Sequence, residues 1–212
     1  MVQSKDEQSR IRMFPLGELI SGNNSEEDIQ RLTELLSSFS CEKDKDVEYF
    51  LHNRAVEFER LNKSRTYLLC DDDILHREGR FVILGYFTLA LKVLDLPENL
   101  SNNMRKRLDG ISAKLHGDVI RSIPCYLIGQ LAKNSQIPTE LFVKGSELIN
   151  CAMSVIRSAE ALVGGRYVLI ECRDKSKLVN FYTDNGFEIL GKIPFEDIQM
   201  VQMLRTLCSA AT

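Results

Sequence analysis

The residues best placed for chemistry in this sequence form a corner between a predicted strand and a predicted helix. The apolar run SIPCYLIGQLAKN covers residues 122–134 and has the composition of a buried strand. The polar residues 133–136 follow, and Pro138 leads into a helix that we expect to begin near Thr139. The first N–H groups of a helix have no partner within it, and the helix dipole is positive there. Such a corner favours a phosphate or another anion.

The metal-binding and nucleophilic residue types form no comparable pattern. His52, His76 and His116 are far apart and make no HxH or HxxxH pair, so we predict no metal site. The adjacent acids at residues 71–73 are interpreted as solvated turn residues, with metal binding as the alternative, because neighbours on an extended chain point in opposite directions. The six cysteines include no CxxC pair and are expected to be reduced.

Hydrophobic periodicity predicts the elements that position the corner. Helices are expected over residues 26–38, with Ser25 as the cap, and over residues 45–62. The runs SRTYLLCDDD and GRFVILGYFTLAL predict two antiparallel strands joined by an acidic turn. A helix, a strand, a helix and a strand follow the corner up to Leu190, and residues 197–207 form either a final strand or a helix.

The polar segment of residues 95–121 interrupts this pattern between two strands. We interpret it as a surface insertion in a single domain of residues 25–207, preceded by an N-terminal extension of residues 1–24. In a second interpretation, the cations of this segment bind an anionic partner, either cofactor phosphates or RNA. No aromatic residues lie between these cations to stack on bases. These cations are Arg105, Lys106, Arg107, Lys114 and Arg121.

The overall charge gives no general attraction to polyanions. Twenty-seven Lys and Arg residues against 30 Asp and Glu residues give a net charge of −3, so no global field favours nucleic acid or an anionic membrane. The polar start of the sequence does not resemble a signal peptide, and no apolar run reaches the about 20 residues of a membrane helix. We therefore expect a soluble, cytoplasmic protein that does not bind membranes.

Three segments share their order and spacing with the motifs of one known family. They are GYFTLAL at residues 85–91, IPCYLIGQLAKN at residues 123–134 and NFYTDNGFEIL at residues 180–190. They resemble the central strand, the acetyl-CoA-binding strand and the last helix and strand of the toxin-like branch of the GNAT superfamily, the acyl-CoA-dependent N-acetyltransferases. The resemblance covers about residues 26–207. It implies a mixed α/β fold, with a mostly antiparallel twisted sheet that contains one splayed strand pair and is flanked by helices.

The resemblance also implies how acetyl-CoA would lie along the sheet. In GNAT proteins the cofactor strand splays from its neighbour, and its free backbone groups pair with the pantetheine amides. By this match Leu131 and Ala132 supply those backbone contacts. Lys133 and Asn180 are assigned to cofactor binding with them.

The pyrophosphate loop departs from the family pattern, (R/Q)xxGx(G/A). Aligning its last glycine with Gly145 leaves ELFVKG at residues 140–145, without the leading basic or amide residue and the first glycine. Lys144, Gly145 and Ser146 remain candidates for anion contact through an ammonium group, an unhindered N–H and a hydroxyl. If the helix begins at Thr139, however, Gly145 lies nearly two turns inside it and is an ordinary helix glycine.

The same resemblance assigns the catalytic residues. Tyr182 stands where many GNAT proteins have a tyrosine that protonates the leaving CoA thiolate, with packing in an amphipathic helix as the alternative role. Glu171, on the preceding strand, is a weaker candidate for the base that neutralises the acceptor amine. Asp174 and Ser176 are expected to cap the helix that carries Tyr182.

The resemblance therefore implies an N-acyltransferase that moves an acetyl group from acetyl-CoA to an amine by direct transfer in a ternary complex. The acceptor is a small-molecule or protein amine, no metal is required, and a homodimer is left open. One alternative is a catalytically impaired GNAT-fold protein with a binding or regulatory role. A further alternative is a toxin-like enzyme acting on aminoacyl-tRNA, with or without an antitoxin partner; the net charge of −3 does not favour RNA.

Overall fold

The computed structural model describes residues 10–21 and 25–207. The strands in this part of the chain are β1 (Ile11–Pro15), β2 (Arg65–Asp71), β3 (Ile83–Asp95), β4 (Lys114–Leu115), β5 (Asp118–Val119), β6 (Ser122–Lys133), β7 (Tyr167–Arg173), β8 (Glu188–Phe195) and β9 (Ile198–Thr206). The helices are α1 (Leu16–Ser21), α2 (Glu26–Ser37), α3 (Lys45–Asn53), α4 (Ala55–Arg60), α5 (Asp72–Glu78), α6 (Asn102–Asp109), α7 (Gly145–Val163) and α8 (Ser176–Asp184).

Seven of the strands form one sheet, in the order β1-β2-β3-β6-β7-β9-β8, and β4 and β5 form a separate hairpin. β6 and β7 are parallel, whereas β1 and β2, β2 and β3, β7 and β9, and β8 and β9 are antiparallel. The predicted mixed fold with a mostly antiparallel sheet and flanking helices is therefore confirmed. The open question about residues 197–207 is answered by β9, which is a strand.

The described residues divide into two compact units, residues 10–89 with 129–155 and residues 90–128 with 156–207. In the first unit, residues from four helices and three strands share one apolar core. Its members include Leu16, Leu36, Leu51, Ala55, Leu68, Tyr86 and Ala132. In the second unit, a separate core joins α6 to the sheet. Its members include Leu94, Leu108, Ile123, Tyr167, Leu169 and Leu204.

The helix predicted over residues 45–62 is divided into α3 and α4 at Arg54. Arg54 has φ −122°, outside the helical range. The break lets residues of both pieces enter the same core, because Leu51 and Ala55 are both fully buried. Helical spacing predicted the apolar face but carried no sign of the break.

The acidic segment at residues 71–73 begins a helix where the sequence predicted a solvated turn, and only Asp73 is as exposed as predicted. Asp71 is 2% exposed and caps α5 by accepting the N–H of Ile74 at 3.0 Å. Its carboxylate also pairs with Arg10. Gly79 ends the helix in the left-handed conformation, with φ +63°. Two turns of helix therefore connect β2 and β3.

The sequence analysis predicted no element before Ser25, yet β1 lies there and pairs antiparallel with β2 from Ile11 to Pro15. The strand is only five residues long, and Pro15 ends it, so its periodic signal is weak. The division into an extension of residues 1–24 and one domain stays a prediction. No helix in the described part of the chain is long and apolar enough to cross a bilayer.

Candidate functional site

The predicted cofactor strand, β6, pairs with β7 over a short distance. Tyr126, Leu127 and Ile128 pair with residues 168–170, and within the described chain the pairing is confined to these three positions. β6 continues to Lys133 and β7 to Arg173. The resemblance predicts a splayed strand pair, in which the pairing ends before the strands do. The pairing of β6 with β7 ends in this way.

Leu131, Ala132 and Lys133 occupy the end of β6 beyond this pairing. Leu131 is half-buried, Ala132 is buried and Lys133 is exposed. The Ala132 carbonyl lies against Gly85 of β3, where an added Cβ atom would be 2.9 Å from the Ala132 oxygen. Because Gly85 has no side chain, the backbone of β6 that was assigned to the pantetheine can lie this close to β3.

The predicted anion corner at residues 133–136 has a structural role instead. Asn134 is 4% exposed, and its amide donates to the carbonyl of Ile83 at 2.8 Å. Its side-chain oxygen accepts the N–H groups of Ser40 and Gln136. These bonds satisfy a turn at the end of β6, and they engage the Asn134 side chain.

The helix after the corner begins later than predicted. A 3-10 helix covers Thr139–Leu141, Phe142 returns to extended geometry, and α7 begins at Gly145. Gly145 is thus the first residue of the helix, and the interpretation as an ordinary interior glycine is wrong. Lys144 and Ser146 lie on either side of it, at the position where the helix dipole and the unpaired N–H groups favour an anion.

The N-terminus of α7 offers an anion both attractive and repulsive groups. Among the described residues, the N–H groups of Gly145 and Ser146 have no hydrogen-bond partner, and the Lys144 side chain is exposed. The carboxylate of Glu147, however, accepts the Lys144 N–H, as the third residue of a helix does in a capping box. The donor set fits a CoA pyrophosphate, provided that Glu147 turns away from the helix end.

Glu171 lies in a row of three polar side chains on the second unit. Lys92 Nζ donates to its Oε2 at 2.6 Å, and Gln202 Nε2 donates to its Oε1 at 2.9 Å. The Glu171 side chain is 19% exposed. Both carboxylate oxygens thus already accept a hydrogen bond, one of them from an ammonium group, and these bonds stabilise the charged form of Glu171.

Lys92 and Gln202 are functional candidates that the sequence analysis missed. Gln202 stands directly opposite Glu171 in the β7 and β9 register, and Lys92 lies 79 residues before Glu171 in the sequence. No local pattern marks either residue. Only the strand pairing of a known fold could have indicated the contact between Gln202 and Glu171.

Tyr182 lies on α8 and is 7% exposed. Its ring centroid is 5.1 Å from that of Phe181 and 5.9 Å from that of Phe187, in a tilted and an edge-on arrangement. These contacts fix the orientation of the phenol ring. They are compatible both with a catalytic role and with a role in packing alone. Asn180, the other candidate on this helix, is exposed.

The predicted cap of α8 by Asp174 and Ser176 is wrong. Lys175 occupies the cap position and makes no side-chain cap bond. Ser176 is already the first helical residue, and the Asp174 carboxylate pairs with Lys192. A turn follows the helix, in which Gly186 has φ +81°.

The cysteines and histidines have the surroundings of structural residues. Burial raises the pKa of Cys70, Cys125 and Cys172 to about 11, so these thiols stay protonated near neutral pH. His52 Nε2 lies 2.8 Å from the carbonyl oxygen of Phe39. The residues that the structure describes contain no group of three metal-binding side chains.

Comparison with known proteins gives a match at the level of structure alone. No protein-family model matches the sequence, and no curated protein matches it. AtaTR bound with acetyl-CoA has a TM-score of 0.60 at 21% identity, over 92% of this chain and 94% of that chain. AtaT complexed with acetyl-methionyl-tRNAfMet has a TM-score of 0.58 at 22% identity, over 90% of this chain and 93% of that chain.

A tyrosine-to-phenylalanine mutant of KacT has a TM-score of 0.61 at 17% identity, over 92% of this chain and 95% of that chain. These likenesses span nearly all of each chain, so the match is to the whole architecture and not to one motif. The chain therefore has the GNAT fold predicted from its sequence, in the form found in the AtaT and KacT structures.

Proposed function

We propose that this protein is an N-acyltransferase that uses acetyl-CoA and an amine acceptor. The observation that carries the proposal is the position of Gly145 as the first residue of α7, after a strand whose parallel pairing stops at Ile128. The likeness to the AtaT structure bound with acetyl-CoA supports it.

Acetyl-CoA would supply an acyl group activated as a thioester. Its pantetheine would pair with the backbone of Leu131 and Ala132, by the addition of a strand-like segment to β6. Its pyrophosphate would accept from the N–H groups of Gly145 and Ser146 and from the Lys144 ammonium. Lys133 and Asn180 are exposed and are assigned to the outer parts of the cofactor.

The reaction requires a neutral amine and a proton for the leaving group. The amine nitrogen forms a bond to the thioester carbonyl carbon, and the tetrahedral intermediate then collapses with loss of the C–S bond. The Tyr182 phenol donates its proton to the thiolate. The proton that the amine loses returns through water to the phenolate, and Glu171 is the weaker candidate to hold it in between.

Isothermal titration of the full chain with acetyl-CoA tests the first half of the proposal. We expect saturable binding that weakens in a Lys144→Gln variant, because the substitution removes the ammonium group from the pyrophosphate site. Lys114→Gln, which removes an exposed cation elsewhere, is the matched control. No heat of binding at millimolar acetyl-CoA would refute a cofactor site on α7.

The second half is tested by Tyr182→Phe. The substitution keeps the ring contacts with Phe181 and Phe187 and removes only the hydroxyl, so acetyl-CoA affinity should be nearly unchanged. Turnover should fall by a factor of about 100 or more, the usual contribution of a general acid. Acetylation at the wild-type rate would refute the assignment of Tyr182.

Two observations favour a non-catalytic alternative. The Glu147 carboxylate occupies the end of α7 where a pyrophosphate would lie, and both oxygens of Glu171 are engaged. A GNAT-fold protein that has lost its cofactor could serve in binding or regulation. Glu147→Gln separates the two, because gain of acetyl-CoA binding only in this variant would mean that the natural chain excludes the cofactor.

The identity of the acceptor is proposed from the AtaT complex with acetyl-methionyl-tRNAfMet. An aminoacyl-tRNA is the acceptor that this likeness supports, and a small-molecule or protein amine is the other. Expression in cells tests the first: growth arrest with acetylated aminoacyl-tRNA is expected, and unaltered growth and tRNA would contradict it. A cytoplasmic location and a homodimer remain predictions.

A further inference from the structure

An open pocket of about 480 Å³ lies beside α6 in the second unit. Four of its five lining residues recur at the spacing of one helix face, and the fifth, Arg166, precedes β7. None of the five is acidic, and three carry a positive charge. They are Asn103, Lys106, Arg107, Gly110 and Arg166.

Arg166 is held in place at the pocket. Its Nη1 donates to the carbonyl of Leu108 at 3.0 Å, and its guanidinium carbon lies 5.4 Å from the ring centroid of Tyr167. Gly110, with φ +91°, leaves room for it, since a Cβ atom there would be 2.1 Å from Arg166 Nη1. The left-handed cap of α6 favours glycine at this position, and the missing side chain leaves the space that the guanidinium occupies.

The C-terminal end of a helix normally repels anions, but here its carbonyl groups already accept hydrogen bonds. The Lys106 carbonyl accepts the Gly110 N–H at 2.7 Å, and the Arg107 carbonyl accepts the Tyr167 hydroxyl at 3.3 Å. The Leu108 carbonyl accepts from Arg166. These donors reduce the negative potential that the end of α6 would otherwise place in the pocket.

The acidic groups near the pocket leave its positive charge in excess. Glu188 pairs with Arg107 at 3.3 Å, but the two side chains are 78% and 64% exposed, so the pair is weak and readily exchanged. The carboxylate of Asp109 accepts the N–H groups of residues 111 and 112. The two carboxylates of Glu188 and Asp109 thus stand against the three cations of Lys106, Arg107 and Arg166.

We propose that this pocket binds a phosphate group. The guanidinium groups of Arg107 and Arg166 offer forked donors, Lys106 adds an ammonium, and Asn103 adds an amide, which together suit the oxygens of a phosphate. The ring of Tyr167 is covered by Arg166 and offers no platform for a base. The pocket therefore recognises the phosphate itself, in a small phosphate compound or in the backbone of a polynucleotide. The proposal does not depend on acetyl transfer.

Titration of the full-length chain with two probes tests the proposal, namely inorganic phosphate by calorimetry and a short fluorescent oligo(U) by anisotropy. Lys106→Gln and Arg166→Gln should each weaken binding about tenfold, since each removes a charge-assisted hydrogen bond. Arg166→Lys keeps the positive charge but loses the forked donor geometry, so its affinity should lie between those of the wild type and Arg166→Gln. The double variant Lys114→Gln/Arg121→Gln removes two exposed cations outside the pocket and should bind like the wild type.

The salt dependence of oligo(U) binding gives a second readout. Each cation removed from a bound phosphate should reduce the slope of log K against log salt by about 0.7. Binding of inorganic phosphate that requires Lys106 and Arg166 supports a site for a small phosphate compound, and binding of oligo(U) alone supports a backbone phosphate. Failure of both probes to bind overturns the proposal, as does equal weakening by the pocket variants and the control.

Discussion

Replacing Arg105 with methionine should loosen the segment of residues 95–121. Arg105 was one of the cations that the sequence assigned to a surface insertion or an anionic partner, yet it is 4% exposed. Its guanidinium donates four hydrogen bonds, all to backbone carbonyls of the same segment. The acceptors are Leu100 at 3.1 Å from Nε, Ile120 from Nη1, and Pro97 at 2.7 Å and Glu98 at 3.0 Å from Nη2.

The size of the effect follows from these hydrogen bonds. A hydrogen bond to a charged group contributes about 1.5–3 kcal/mol to stability. The four bonds of Arg105 contribute less than the sum of four such values, because the guanidinium loses its hydration when it is buried. Arg105→Met leaves buried carbonyl oxygens without donors, at about 1–3 kcal/mol for each that water cannot reach, so we expect a net cost of about 3–5 kcal/mol. Methionine fills much of the volume, so the decrease in stability reports the hydrogen bonds and not a cavity. Arg121→Met, which removes an exposed cation of the same segment, should cost no more than about 0.5 kcal/mol.

Urea denaturation followed by circular dichroism measures the decrease in stability of both variants. Hydrogen exchange of the amides in residues 95–121 shows whether the effect is local, since this segment should exchange faster before the rest of the chain unfolds. Equal stability and equal exchange in Arg105→Met and Arg121→Met would refute the idea that Arg105 holds the segment together.

Three other predictions concern the first unit and the cysteines. Hydrogen bonds from the Cys41 N–H and then from Lys45 and Ser40 lower the pKa of Glu48 from 4.5 to about 2. The resulting stability is present above the unfolded pKa and is lost as the pH falls towards about 2. The stability gap between wild type and Glu48→Gln should therefore close on acidification, and a gap independent of pH would contradict this. Gly85→Val should destabilise the protein by about 1–3 kcal/mol in urea, because its Cβ would clash with the Ala132 carbonyl; an unchanged midpoint would show that β6 can shift. A thiol reagent at neutral pH should label the buried Cys70, Cys125 and Cys172 slowly in the native protein and rapidly in the unfolded chain. Fast labelling of these cysteines in the native protein would contradict their raised pKa values.

The elements that carry the candidate residues were predictable where their motifs are consecutive in the sequence. Leu131 and Ala132 follow from the pattern of β6, and Tyr182 follows from the motif of α8. The start of α7 was not predictable in the same way, because Thr139–Leu141 forms a 3-10 helix whose composition also suits an α-helix. The neighbours of Glu171 were not predictable either, since Lys92 and Gln202 come from distant strands.

By itself, the sequence determined the order of the main strands and helices after Ser25 and the GNAT-like motifs, because hydrophobic period and capping residues such as Ser25 act through near neighbours. Tertiary structure alone decided which polar groups are available for function. Asp71 and Arg105 looked solvated in sequence, yet both are buried: Asp71 pairs with Arg10 from a distant part of the chain, and Arg105 bonds carbonyl groups that only the folding of its own segment brings together. Burial and strand register depend on which distant segments meet, and local composition carries almost no record of that pairing.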